Sequence, residues 1–355
     1  MKNEKFNLAI IIPILFLSGF SLSIIFSVNP SLFSSQLFFF LIGFLIFFLL
    51  TLVDLESFLK SFSIPLYLLS VIFLGLSFFG PEIRGAHRWI EVFGFRIQPS
   101  ELVKPFLIAF FAQMISLFPP RKMKNFLLNL FLMAIPFLLI FKQPDLGNAI
   151  LYAGTWLIML LTSGPNLFVI CYLLFVICLT PFSWHFLKDY QKLRILSFLN
   201  PQQYSQTASY HSIQTKIAVG SGQFLGKGLG QGTQSHLRFL PEFHTDFIFA
   251  SLSEELGFLG SVLILACYFI LLFQILKTAS KTENSFSHLF AIGIFSQLLL
   301  QIFINIGMNL GIVPITGITL PLVSYGGSSI ISTLIGLGII SSLKKREKSK
   351  ILVIS

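Results

Sequence analysis

The chain of 355 residues is 55% hydrophobic and only 11% charged, too little polar surface to coat a soluble globule of this length. Its mean hydropathy of +0.85 fits an integral membrane protein. The net charge of +10 sits in loops between apolar runs rather than along one soluble face, which argues against nucleic acid and for anionic lipid head groups as the counter-charge. Forty-three Phe against three Trp and eight Tyr supply lipid-facing bulk rather than an aromatic belt.

The N-terminal MKNEK passes straight into an apolar run with no small-residue cleavage site, so a retained first helix is expected. About ten spans follow from the apolar runs near 8–28, 36–53, 62–80, 101–118, 125–142, 147–162, 166–184, 246–276, 287–310 and 319–342. An even number puts both termini on one side. The basic tail Lys344, Lys345, Arg346, Lys348 and Lys350, the 119–124 loop, and Lys277 and Lys281 assign that side to the cytoplasm. The expected fold is all-α: one polytopic domain over 1–355, with a long extracytoplasmic loop at 185–245 between spans seven and eight. Cys171, Cys178 and Cys267 fall in apolar runs without metal-ligand spacing and read as small core hydrophobes.

On this topology the unusual residues gather at the outer side. Arg84, Arg88 and Arg96 lie in the 80–101 connection, where the positive-inside bias expects few cations, so a grip on an anionic group is one reading. Pairing with Glu82, Glu91 and Glu101 is the plainer one. Pro99-Ser100 reads as a helix start with Ser100 as N-cap. Glu101 and Lys104, three apart, share a helix face: an intramembrane ion pair, a phosphate site through Lys104, or both. Asp145 in QPDLG stands where it can cap the next span. Gly311 to Ser329, rich in Gly, Pro and Ser, interrupts an apolar stretch, and broken backbone at membrane depth is tolerated only against protein or a watery cavity.

Within 185–245, Ile213, Ile217 and Ala218 among polar residues suggest a short amphipathic helix in the interface. The glycine-rich 220–232 that follows lacks P-loop spacing, excludes nucleotide binding, and reads as a flexible hinge with Lys227 exposed. Next comes FLPEFHTDFIFASLSEELG at 239–257. Glu242, His244 and Asp246 precede the apolar run, where an extended chain would put them on one side and allow a metal. Glu254 and Glu255 lie inside it, and ionisable groups within spans mark functional sites by default. Asp246 has the position of a general base: close to water, with apolar surroundings that make a carboxylate more basic. Glu254, eight residues on and roughly 12 Å deeper, is placed to hold a cation such as Lys104.

At these residues the chain resembles the SEDS family of polytopic membrane proteins, the group of RodA and FtsW. The likeness rests on RGAHRWI at 84–90, QPSELVK at 98–104, QPDLG at 143–147, the 239–257 stretch and PLVSYGGSS at 321–329, in order and at family spacing. RILSFLNP at 194–201, YHSIQTKIAVGSG at 210–222 and GKGLGQGTQS at 226–235 are closer to the RodA branch; QQYSQTASYH at 202–211 departs from the family's usual Asp-Pro-Gly wording. The resemblance implies a peptidoglycan glycosyltransferase that polymerises lipid II into β-1,4 glycan on the outer face of the cytoplasmic membrane for elongation, alongside a class B penicillin-binding protein. It implies a catalytic aspartate at Asp246 and cavity positions at Glu101, Lys104 and Asp145, with Glu242 and Ser324 carried over beside them. Arg84, Arg88, Lys104 or a divalent cation (Mg2+ or Mn2+) would meet the diphosphate. A lipid II flippase and a scaffold for the penicillin-binding protein are the rival readings. Charges clustered at one end and no internal repeat argue against transport.

Overall fold

Each of the ten apolar segments forms a helix in the computed structural model, which describes residues 8–354 apart from 83–84, 93, 179–183, 186, 205–208, 238 and 241, and describes no side chains at 92, 174–178, 190 and 344–354. α1 (Leu8–Val28) and α2 (Phe33–Leu52) are long and apolar enough to cross a bilayer. The short α3 (Glu56–Ser61) leads into α4 (Ser63–Leu76). A two-stranded hairpin, β1 (Ile90–Val92) and β2 (Phe95–Ile97), occupies the 80–101 connection. Then come α5 (Pro99–Leu102), α6 (Lys104–Leu117), α7 (Met123–Lys142), α8 (Leu146–Thr162) and α9 (Leu167–Cys178). The long connection carries α10 (Asp189–Leu199), α11 (Tyr210–Ser221) and α12 (Thr233–His236). α13 (Ile248–Lys281), α14 (Ser285–Leu310) and α15 (Gly327–Ile354) complete the chain.

The helices are apolar all round because they face protein on one side and lipid on the other. On α1 the residues Ile10, Ile14, Leu17, Ser21 and Ile24 are buried, whereas Leu8, Ile12, Leu15 and Phe16 are exposed. Lipid tails are as apolar as leucine, so close packing and polar bonds rather than hydrophobic burial hold such helices together. α14 is the central helix, packed on α6, α8, α11 and α13, while α15 lies along α2.

Several expectations change. Ser100 is not the N-cap: Gln98 is, Pro99 takes the first helical position, and the Ser100 hydroxyl is buried without a partner among the described residues. The balanced set of three Arg and three Glu does not form. Arg96 pairs with Glu91 across the hairpin at 3.1 Å, but Glu101 turns to Lys104 and Arg88 to the 143–145 turn. α11 forms where an amphipathic helix is expected, with Ala218 buried and Ile217 exposed; α10 has no counterpart in the sequence reading. Cys171 is exposed rather than a core residue, whereas Cys267 is half-buried and packs against the core; the Cys178 side chain lies outside the described set.

The glycine-rich loop is a clasp, not a hinge. α13 breaks at Gly257, where φ is 67° and ψ is −165°. Ser253 and Ser261 Oγ nevertheless stand 2.9 Å apart, although eight residues of straight helix would separate them by about 12 Å. The chain therefore bends sharply into a short limb before Gly257 and a long limb of roughly 36 Å after it, enough to span a bilayer. The loop supplies what the break removes. Lys227 N and Gly228 N donate to the Glu254 and Glu255 carbonyls at 3.0 and 2.9 Å, and Phe258 N and Leu259 N donate to the Gln223 and Phe224 carbonyls at 2.8 and 3.1 Å. A Cβ on Gly257 would collide with the Gly226 backbone, and one on Gly222 with the Ser253 carbonyl.

The clasp also satisfies two buried carboxylates at the end of the short limb. Lys227 is not free in solvent, and Lys104 is not the partner of Glu254: Lys227 Nζ meets Glu254 Oε1 at 2.7 Å, joined there by Thr233 N at 2.9 Å. Glu255 accepts from Ser27 Oγ at 2.6 Å and lies 3.1 Å from His236 Nε2. Two consequences are testable by thermal unfolding of the detergent-solubilised protein. Lys227→Met strands Glu254, buried and without its cation, and is expected to cost about 3–5 kcal/mol, with much of the loss recovered in the Lys227→Met, Glu254→Gln double variant. Gly257→Ala, forced into a left-handed conformation, is expected to cost about 1–3 kcal/mol beyond any relaxation of the loop.

Candidate active site

Asp246 begins the short limb of α13, and the chain ahead of it is coiled rather than extended. Thr245 N and Phe247 N both donate to the Glu242 carbonyl, at 3.1 and 3.2 Å, and Glu242 has φ of 48°. The alternation that would set Glu242, His244 and Asp246 on one side is therefore broken. Among the described residues no three of His, Cys, Asp and Glu gather as a metal site.

What fixes Asp246 is a row of amides on α14. Gln297, Gln301, Asn305 and Asn309 recur every fourth residue, so they line one face of the helix, and all are buried. Asn305 and Asn309 Nδ2 each donate to the Asp246 carbonyl at 3.1 Å, and Asn309 Oδ1 accepts from Ala250 N at 3.3 Å. The same face holds the broken segment after α14: Asn305 donates to the Ile318 carbonyl at 2.6 Å and Gln301 to that of Thr319 at 3.0 Å. A Cβ on Gly317, where φ is 78°, would lie 3.4 Å from Asp246 Oδ2, so this segment passes directly against the carboxylate. The sequence reading missed these amides, although their four-residue repeat within an apolar span was legible.

Ser324 fastens the other side. Its hydroxyl donates to the Thr245 carbonyl at 2.6 Å and accepts from Leu320 N at 2.8 Å, and Tyr325 N donates to the His244 carbonyl at 2.8 Å. Buried and bonded in both directions, Ser324 orients the Asp246 turn. Glu242 accepts from Thr245 Oγ1 at 3.2 Å.

The second group of charges meets the same 316–319 segment through Gly147. Asp145 caps α8, accepting from Asn148 N at 3.2 Å as the sequence suggests, and takes Gln98 Nε2 at 3.1 Å and Asn148 Nδ2 at 3.0 Å. Arg88 Nη1 stands 4.0 Å from Asp145 Oδ1, its Nε donates to the Gln143 carbonyl at 3.0 Å, and its other Nη donates to the Pro144 carbonyl. Next to Asp145, a Cβ on Gly147 would come within 2.8 Å of the Thr316 carbonyl. Gln98 N donates to Ser328 Oγ at 3.0 Å, tying this group to the start of α15. Glu101 and Lys104 form the intramembrane ion pair, 2.7 Å apart and almost fully buried, and Lys104 also lines a small cavity with Tyr152, Trp156 and Gln297. Arg84 lies outside the described residues.

Glu254 sits apart from this site. Glu255 beside it bonds Ser27 near the Val28 end of α1, whereas the Asp246 turn is joined through Ser324 to Val323, whose carbonyl accepts from Ser21 at 2.8 Å. The short limb therefore runs from Asp246 toward the Val28 end of α1. Glu254 thus lies toward the Val28 end of α1 from Asp246, rather than along the line of the long limb that a straight helix through 246–276 would give it.

Helices around a buried polar seam, with the broken backbone at 318–319 bonded by amides of α14, define a multi-pass membrane protein. The chain belongs to the FtsW/RodA/SpoVE family of cell cycle proteins, whose profile matches residues 5–349. It is 42% identical over 289 residues to the peptidoglycan glycosyltransferase MrdB of Escherichia coli, covering 80% of this chain and 78% of that one. Its fold matches a chain of a peptidoglycan synthase complex, solved for the structural coordination of polymerization and crosslinking, at a TM-score of 0.81 and 28% identity, over 96% of this chain and 98% of that one. It also matches the rod shape determining protein RodA of Thermus thermophilus at a TM-score of 0.72 and 26% identity, over 96% and 97% of the two chains.

The amide row yields a prediction of its own. Asn309→Leu removes a donor from the buried Asp246 carbonyl and the acceptor for Ala250 N, so a stability loss of about 1–3 kcal/mol is expected. It is measured by thermal unfolding in detergent.

Proposed function

We propose that this chain is a peptidoglycan glycosyltransferase that polymerises lipid II into β-1,4 glycan strands for elongation of the wall, with Asp246 as general base. Its relatives' names carry the activity: MrdB, and FtsW proteins at 36% identity, are peptidoglycan glycosyltransferases or probable ones. The observation that carries the chemistry is the seating of Asp246, a carboxylate fixed through its own main chain against the bare backbone of Gly317. A base needs to be held in register with its substrate, and a glycine at 317 lets the backbone pack that close to Oδ2.

In the reaction Asp246 takes the proton of the acceptor sugar's 4-hydroxyl as that oxygen attacks the anomeric carbon of the donor. The bond to the diphosphate breaks with its electron pair leaving on phosphate oxygen, and the single displacement inverts an α-linked donor into a β linkage. Arg88, on the 143–145 turn, supplies charge against the departing diphosphate, and Lys104 adds to it once its pair with Glu101 loosens. Glu101 and Asp145 hold these cations in place. A magnesium-type ion at the diphosphate would add positive charge at the leaving group, and Asp145, beside Arg88, is the carboxylate on that side that would help to hold it.

This reading places the chain in the cytoplasmic membrane with both termini inside and the site opening outward, and makes a class B penicillin-binding protein its partner, in keeping with the synthase complex it resembles. The test is lipid II polymerisation by the purified protein with its cognate penicillin-binding protein. Asp246→Asn, at equal folding and complex formation, is expected to lower glycan product by at least about a hundredfold. Undiminished product from that variant would return the chain to a transport or scaffolding role.

A further inference from the structure

A second cavity lies beside the Asp246 turn and has no part in the mechanism above. It encloses about 270 Å³ between α10, the start of α11 and the segment after α14. Arg194, Ser197, His211 and Ser212 give it polar walls, and Phe198 and Pro314 apolar ones. Both sides of Asp246 adjoin it. The wall at Ile315 is two residues from Gly317, which touches the Asp246 carboxylate, and the His211 ring stands 6.4 Å from that of Phe247, the next residue in the chain.

Two polar groups in this wall have no hydrogen-bond partner among the described residues. His211 Nδ1 is buried with no hydrogen-bond partner among the described residues, and the Ser212 hydroxyl makes no bond to any of them. A buried nitrogen left without a bond carries a desolvation cost, which a ligand would remove. Burial also holds the His211 imidazole below its usual range, so at neutral pH it is uncharged and has one donor and one acceptor. Arg194 Nη1 donates to the Ile315 carbonyl at 3.3 Å, which lays the guanidinium along the wall. The volume is below the roughly 300–1,000 Å³ of drug-sized pockets, so it suits one sugar ring rather than a disaccharide.

We infer that this cavity is a saccharide subsite, taking one acetamido-sugar ring of the strand adjacent to the ring that reacts at Asp246. An acetamido group offers one N–H and one carbonyl, matching a neutral imidazole and a hydroxyl, while the C–H face of the ring lies on Phe198 and Pro314. The Arg194 guanidinium is engaged with the Ile315 carbonyl, and the groups left to meet a ligand, His211 and Ser212, are uncharged and suit an acetamido group better than the diphosphate, which the Arg88 side of the site serves. The inference rests on the polymerase reading, since it needs a strand that stays bound between additions.

The test uses the full chain with its penicillin-binding protein and two variants. Ser212→Leu fills the cavity and breaks no bond seen in the structure; His211→Ala removes the unpaired imidazole. Glycan length is read on polyacrylamide gels, and binding is read from the thermal midpoint titrated with a soluble tetramer of N-acetylglucosamine. Loss of one good hydrogen bond is expected to raise the half-effective tetramer concentration about tenfold, and both variants are expected to make shorter strands than the wild type. Unchanged tetramer titration in both variants would overturn the subsite, as would wild-type strand lengths from both. No glycan from the wild type would sink the polymerase reading instead, and the tetramer titration would still decide whether the cavity binds sugar.

Discussion

Two stretches of broken backbone run through the interior of this protein, and the amide face of α14 makes that tolerable. Neither the 316–319 segment nor the Asp246 turn can satisfy its carbonyls by helical bonding, and a peptide group buried unbonded in an apolar medium costs several kcal/mol. Gln301, Asn305 and Asn309 answer the carbonyls of Thr319, Ile318 and Asp246 from a single helix. Because one rigid element grips both stretches, the carboxylate of Asp246 and the backbone of Gly317 are held in register.

The clasp solves the same problem at the other end of the short limb. Breaking α13 at Gly257 leaves unpaired carbonyls before it and unpaired N–H groups after it. The glycine-rich loop bonds both sets with its own backbone, which requires chains to meet more closely than side chains permit. Two buried carboxylates at the C-terminal end of a helical limb also oppose the helix dipole. Lys227, the Thr233 and Gln234 amides, Ser27 and His236 gather around them. The loop is therefore as much a part of the bundle as any span.

Separation of charge gives the site its chemical sense. Glycosyl transfer from a diphosphate needs a base near the attacking hydroxyl and positive charge near the leaving group, kept from neutralising each other. In the proposed reaction Asp246, against Gly317, serves as the base, and Arg88, beside Asp145, supplies the charge for the leaving group. Lys104 is bound to Glu101 by a 2.7 Å pair, so in the proposed reaction it adds charge only once that pair loosens.

By itself the sequence determined the membrane class, the ten helical segments and their approximate limits, because apolar runs of span length report the thickness of a bilayer directly. Its motifs also marked Asp246, Asp145 and the Glu101–Lys104 pair, and the Asp145 cap and the ion pair are local contacts within three residues, which spacing can show. Tertiary structure decided what spacing cannot reach. Lys227 finds Glu254 from 27 residues away only because α13 breaks and the loop lies over the break. Asn305 and Asn309 meet Asp246 from 59 and 63 residues away because α14 packs on the short limb. Likewise a straight helix drawn through 246–276 sends Glu254 inward, whereas the positive φ at Gly257 turns the limb toward the Val28 end of α1. Hydrophobic pattern fixes which residues enter the membrane, but the partners of buried polar groups depend on which helices meet, and one residue's backbone angle can redirect them.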